Sequence, residues 1–167
     1  IIHKKENVGE VELATMSFGQ SFQITPMQML RAAAAIVNGG NLVTPHFAIR
    51  TCAADKTTYI EFSYSTTQEA VSKETSDTMK DILRQVVEEG GGKNAYIEGF
   101  SIGGKTATSQ KLPRGSGKYI ASFIGFSDVT DPSVIAMCLI DEPQGIYYGG
   151  TIAAPVILSL IHISRCR

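Results

Sequence analysis

The sequence predicts an α+β domain, an α/β layer structure in which an antiparallel sheet is flanked by helices. Two segments have helical caps and apolar periodicity, and three short β-branched and aromatic segments follow them. The connections between those three are too short for crossover helices, so the strands pair antiparallel.

The first helix opens at Thr25, with Pro26 at the first helical position, Gln28 three residues after the cap, and Ile24 placed to staple against Met29. Gly39 and Gly40 close it. Met29 to Val37 is rich in helix formers and apolar nearly all round, which predicts a buried core helix. From 41 to 71 the chain is rich in Thr, Ser and aromatics, and weak alternation over Thr58 to Tyr64 suggests a surface hairpin. A second, amphipathic helix runs from about Lys73 to Glu89, with Met79, Ile82, Leu83, Val86 and Val87 at helical spacing and Gly90-Gly91-Gly92 ending it.

The strands are expected at about Gly99 to Gln110, Lys118 to Phe126 and Val134 to Asp141, joined by the turns 111–117 and 127–132. Asp141 and Glu142, before Pro143, mark a strand end. Gly149-Gly150-Thr151 then leads into Ile152 to Leu158, a last helix with Pro155 in its first turn.

Composition narrows the function classes. Of the 167 residues, 43% are hydrophobic and 19% charged, enough for a real core. With 15 Lys and Arg against 16 Asp and Glu there is no positive field to concentrate nucleic acid or anionic lipid, so neither is an expected partner. Cys52, Cys138 and Cys166 fit neither a disulfide framework nor a paired-ligand zinc site. His3, His46 and His162 are too scattered for a metal or a Ser-His pair, so no cofactor or metal is expected. Met16, Met27, Met29, Met79 and Met137 fall on apolar stretches and read as core filling. Tyr147 and Tyr148 fit either a cleft lining or a packed turn.

One glycine-rich segment supports two chemistries. Gly99-Phe100-Ser101-Ile102-Gly103-Gly104-Lys105-Thr106 satisfies the G-x-x-x-x-G-K-[ST] phosphate-loop pattern, and Ile135 to Glu142 resembles the apolar strand ending in Asp-Glu that would hold magnesium in such an enzyme. A phosphate loop, however, leads a strand into a helix whose N-terminal amides face the phosphates. Thr106-Ala107-Thr108-Ser109-Gln110 is β-branched and polar, then broken by Pro113. The alternative is a strand bordering a cleft, with Gly103 and Gly104 keeping its backbone slim. Lys105 and Ala107 then face one side, and Thr106 and Thr108 the other. An ammonium, hydroxyls and backbone amides gathered on such a strand form a carboxylate-recognition and oxyanion device.

Several separated segments together resemble the transpeptidase domain of class B penicillin-binding proteins of the cell-division and sporulation type. These are Ala14-Thr15-Met16-Ser17-Phe18-Gly19-Gln20, Ile24 to Gln28, Asn38 to Pro45, Gly91 to Tyr96, Gly103 to Gln110, Tyr119 to Phe126 and Asp141 to Pro155, in the family's order. The resemblance implies the C-terminal portion, residues 1–158, of a penicillin-binding, β-lactamase-like serine transferase fold. Residues 159–167 depart from the family and read as a non-native tail.

The resemblance further implies acyl transfer on the D-Ala-D-Ala end of a peptidoglycan stem peptide, with β-lactams as substrate mimics. It also implies other cell-wall synthesis proteins as partners, and a place outside the bacterial cell membrane, held by an anchor upstream of Ile1. The family's nucleophilic serine with its lysine, and its Ser-x-Asn motif, find no convincing counterpart here and are expected upstream, so this chain alone is expected to be inactive. By the resemblance, Lys105 orients the site and supports the substrate carboxylate electrostatically, Thr106 and Thr108 hydrogen-bond that carboxylate, and the Thr108 backbone N–H is one oxyanion donor. Ala107 stands where the family most often has glycine, so its methyl could narrow the cleft. A hydrolase of the β-lactamase or D,D-carboxypeptidase type, a non-catalytic β-lactam sensor and, remotely, a nucleotide-binding protein are the alternatives.

Overall fold

The computed structural model describes residues 4–113 and 115–165. His3, Cys166 and Arg114 of the turn 111–117 therefore lie outside the described residues. A single 3-10 turn, Lys5–Asn7, precedes a short helix α1, Glu10–Met16, which sequence periodicity did not predict. Its seven residues are too few for apolar periodicity to show, and it is fixed locally by Glu12, whose carboxylate accepts from Gly9 N–H at 3.0 Å.

Helix α2 spans Pro26–Val37 and begins where its cap predicts. Gln28 N–H donates to Thr25 Oγ1 at 3.2 Å, and Thr25 N–H donates to Gln28 Oε1 at 2.9 Å, a reciprocal capping box. At its other end Gly39 and Gly40 both take positive φ, 83° and 95°. The expectation of a fully buried helix is corrected: only Ala35 and Val37 are buried. α2 packs on the helix that follows it and on two strands, and its other residues are half-buried or exposed. The methionines are corrected with it. Met27 is half exposed, the other four are only partly buried, and none joins the buried core.

Between α2 and the next helix the chain builds two small antiparallel ladders. β1, Leu42–Val43, pairs with β4, Thr66–Thr67, and β2, Arg50–Cys52, pairs with β3, Tyr59–Glu61. The expected hairpin is present, but its first strand lies upstream of Thr58. Arg50 sits over the Tyr59 ring, 4.8 Å from its centroid. His46 stacks on Tyr64 at 3.7 Å, and its Nδ1 lies 2.8 Å from Thr44 O, a locally bonded histidine.

Helix α3, Lys73–Glu88, is capped by Ser72, whose hydroxyl accepts from Thr75 N–H at 3.1 Å. It docks on α2 through Ser76, whose buried hydroxyl accepts from Gly39 N–H at 3.0 Å. The chain then turns at the 3-10 segment Lys93–Ala95 and enters the main sheet. That sheet is β5, Ile102–Gln110, β6, Tyr119–Ser127, and β7, Val134–Asp141, in sequence order and antiparallel throughout. β6 is the middle strand, and the outer edges of β5 and β7 pair with no described strand.

A short helix α4, Gly149–Ile152, leads into α5, Ala154–Arg165, with Pro155 at the second helical position. α5 lies across β6 and β7 and closes the core of Val87, Ala95, Ile102, Phe123, Ala153, Ala154, Ile157 and Ile161. α5 continues past residue 158, and Ile161 is buried in that core. Burying side chains of this size contributes roughly 1.5–3 kcal/mol each.

Candidate functional site on strand β5

Lys105 lies in the middle of β5, with no helix after it; the chain continues extended to Gln110. A strand cannot offer the converging amide groups of a helix start, so the phosphate-loop reading is excluded. Asp141, the supposed magnesium ligand, instead pairs with Lys111 Nζ at 2.9 Å. Lys111 also reaches Glu142 at 2.8 Å, and Lys118 meets Glu142 at 3.1 Å. These contacts raise the pKa of Lys111, chiefly through Glu142 and then Asp141, and lower that of Glu142. Among the described residues, no group of three or more His, Cys, Asp or Glu is placed to hold a metal ion.

The register of β5 fixes which way its backbone points. Ser101 O accepts from Asp128 N–H at one end of the ladder, and Lys111 N–H donates to Lys118 O at the other. In an antiparallel ladder such hydrogen-bonded positions alternate, so Gly103, Lys105, Ala107 and Ser109 exchange bonds with β6. The N–H and C=O groups of Gly104, Thr106 and Thr108 therefore turn to the unpaired edge. Lys105 folds its ammonium onto that edge and donates to Thr106 O at 2.8 Å.

Side-chain alternation divides the same residues between the faces. Lys105 and Ala107 are exposed, while Thr106 and Thr108 are half-buried on the face of Ala121 and Phe123, which α4 and α5 cover. Gly149 N–H donates to Thr108 Oγ1 at 3.1 Å. A Cβ on Gly150 would lie 3.1 Å from Thr106 Cγ2 and 2.5 Å from Gly91 O, so the α4 start is seated directly against β5 and the glycine turn after α3. Asn94 ties these parts together by donating from Nδ2 to Gly150 O at 2.8 Å. Tyr147 stacks on Tyr119, centroids 4.1 Å apart, so it packs the turn, whereas Tyr148 is 58% exposed beside it.

The four residues Lys105 to Thr108 are thus brought together on one strand edge. Asn94 and Gly149 join them, although sequence patterns do not reveal these two as members of the site. Their bonds span 56 and 41 residues, beyond the reach of any local pattern. An open hollow of about 510 Å³ lined by Gly39, Asn41, Gln68, Glu69, Ser72 and Lys73 takes no residue from β5.

Residues 2–162 match the family model of the penicillin binding protein transpeptidase domain. The chain belongs to that family. Among the transpeptidase-domain relatives, it is 41% identical over 169 residues to stage V sporulation protein D of Bacillus subtilis (strain 168), covering 98% of this chain and 26% of that protein. It is 34% identical over 152 residues to the probable peptidoglycan D,D-transpeptidase PenA of Neisseria flavescens, covering 88% and 35%. Penicillin-binding protein 3 of Mycobacterium tuberculosis, solved in complex with aztreonam, superposes with a TM-score of 0.84 at 26% identity, over 98% of this chain and 40% of that one. The transpeptidase domain of Burkholderia pseudomallei penicillin-binding protein 3 gives 0.80 at 28% identity, over 98% and 48%. The α+β fold is therefore that of penicillin-binding transpeptidase domains. The chain spans about a quarter to a third of the length of the curated relatives.

Proposed function

We propose that this chain supplies the substrate-recognition wall of a peptidoglycan D,D-transpeptidase whose nucleophilic serine lies in sequence preceding it. The observation that carries the proposal is the orientation of β5: the Thr108 N–H points to an unpaired edge, with the Lys105 ammonium and two threonine hydroxyls close by. A carbonyl placed against that edge would receive the Thr108 N–H as its carbonyl oxygen gains negative charge, the moment at which a fixed donor is most effective. The terminal carboxylate of a D-Ala-D-Ala stem would take the hydroxyl donors and the Lys105 charge. The serine oxygen would form an ester with the penultimate D-Ala carbonyl and surrender its proton to the leaving D-Ala amine. A second strand's amine would then displace the serine. β-Lactams of the penicillin type, with a reactive carbonyl and a carboxylate in similar array, fit the same wall, and the ampicillin complex of the Mycobacterium relative supports that fit.

The relatives' names, a stage V sporulation protein and a peptidoglycan D,D-transpeptidase, support a role in cell-wall synthesis; a place outside the membrane and partners from that machinery belong to the same proposal. Among the described residues no helix is long and apolar enough to cross a membrane; an anchor upstream of Ile1 is part of the same proposal. Residues 1–158 are proposed as the family portion, with 159–167 a departing tail continuous with α5 as far as Arg165.

Labelled penicillin is expected to acylate the full-length protein and not this chain alone. The acylated full-length protein should pass a D-Ala-D-Ala-derived acyl group to an amine acceptor. Absence of acylation in the full-length protein would sink the proposal, and transfer to water alone would favour the hydrolase.

A further inference from the structure

We propose that Asn94 is a positioning residue for the carboxylate-binding hydroxyl of Thr108, an inference that rests on the recognition reading of β5 given above. A hydroxyl has one proton to give and two lone pairs to fill. At Thr108 one lone pair is taken by the Gly149 N–H at 3.1 Å, which leaves the proton to be donated. A carboxylate only accepts, so it needs the hydroxyl turned in that sense. The Gly149 bond selects that orientation and strengthens the hydroxyl as a donor.

The bond depends on where α4 sits. A four-residue helix has no stability of its own, so its place is set by its contacts. Gly149 is seated against the carbonyls of Ala107 and Ser122, and Gly150 against Gly91 O. The polar tie across this junction is Asn94 Nδ2 to Gly150 O, 2.8 Å. Asn94 itself is exposed, 56 residues away in sequence, and contributes nothing to the buried core. Its bond therefore acts on the seat of α4, through Gly149, on the Thr108 hydroxyl.

The test uses the full-length protein, with benzylpenicillin and its methyl ester as probes of acylation. Asn94→Ala, and the near-isosteric Asn94→Asp that cannot donate, are each expected to weaken the concentration dependence of acylation by benzylpenicillin by about threefold to tenfold, with the limiting acylation rate little changed, the scale of one lost hydrogen bond. Thr108→Val should remove the same interaction, so Asn94→Ala adds no further loss in that background. With the methyl ester, whose carboxylate is masked, the Asn94 effect should disappear. Additive losses in the double variant, or an equal loss with the ester, would overturn the proposal. Amide exchange of the segment 147–152 gives a reading independent of catalysis. It should quicken in Asn94→Ala, and unchanged exchange would also overturn the linkage. A wild-type protein that is never acylated would count against the functional reading, while the exchange measurement would still decide the role of Asn94.

Discussion

The methyl group of Ala107 projects on the exposed Lys105 side of β5, away from the face that carries the Thr106 and Thr108 hydroxyls. Its carbonyl, by contrast, lies against Gly149. Replacing it with glycine therefore leaves the hydroxyls and the Gly149 bond in place. Ala107→Gly is expected to cost at most about 1 kcal/mol of stability through added backbone freedom. It should also change acylation of the full-length protein by less than about threefold, well under 1 kcal/mol of transition-state binding. A tenfold change would show that ligand contacts the Ala107 methyl, against this placement. Gly104 is the opposite case: a Cβ there would come 2.5 Å from Phe123 Cζ and 2.7 Å from Ile124 O, in the packed interior. Gly104→Ala should destabilise by roughly 1–3 kcal/mol in urea unfolding, the scale of an overpacked core. An unchanged midpoint would refute the close packing. At this scale the site was half legible. Lys105 to Thr108 offer an ammonium, hydroxyls and edge amides within one candidate tetrapeptide, whereas Asn94 is a polar residue whose proposed part comes from Gly150 across the fold.

The elements were legible where their signals are local. The Thr25, Pro26 and Gln28 cap placed the start of α2 correctly, and Val134 to Asp141 forms a strand with the expected bounds. The segment 41–71 was less legible because its strands are two or three residues long, and β1 finds its partner in β4 more than twenty residues on. Charge patterning on α3 is also local and carries a pH consequence. Asp77 is held by Lys73 and Lys80, and Asp81 by Arg84 and Gln85, so both carboxyls titrate below their ordinary range. A depressed folded-state pKa means that the folded chain binds fewer protons than the unfolded one. The stabilisation is thus present above the ordinary aspartate range and is lost as pH falls through the lowered values. Lys111 and Glu142, which pin the ends of β5, β6 and β7 together, bound a wider window. Glu142 loses its contribution in acid, and Lys111, with its raised pKa, loses its own only as pH climbs through that raised value. Stability at neutral pH should therefore fall on acidification, and Glu142→Gln should flatten part of that fall. These pairs are solvent-screened, so added salt should shrink the difference. A Glu142→Gln profile superimposable on wild type would remove the pin from the account.

At the scale of the whole molecule, apolar surface remains open on several sides. Val11, Leu13 and Phe18 around α1, and Leu139 on β7, are exposed. The β2–β3 hairpin is amphipathic. Phe62 N–H donates to Ile49 O, which puts Ile49, Thr51, Ile60 and Phe62 on one face, and their apolar side chains are exposed together. The outer edges of β5 and β7 offer unpaired backbone groups as well. Against this stands one well-packed nucleus, in which Phe123 and Ile157 are fully buried between sheet and α5. The balance predicts two different responses to truncation. Phe123→Ala should cost about 3–5 kcal/mol, because the ring packs over Gly104 and, beside Ile157, over Gly125, and its removal leaves a cavity there. That loss should appear as a lowered unfolding midpoint in the full-length protein. The unsubstituted chain should already unfold over a broad temperature range and bind a hydrophobic dye, since open apolar faces and free sheet edges favour association over a unique monomer. The full-length protein should instead melt sharply and bind little dye if its further sequence covers these faces. A sharp, reversible transition of this chain as a monomer would show that the β5–β6–β7 sheet and its helices suffice as an independent unit, and would contradict the reading that the exposed faces are interior surfaces of a larger domain.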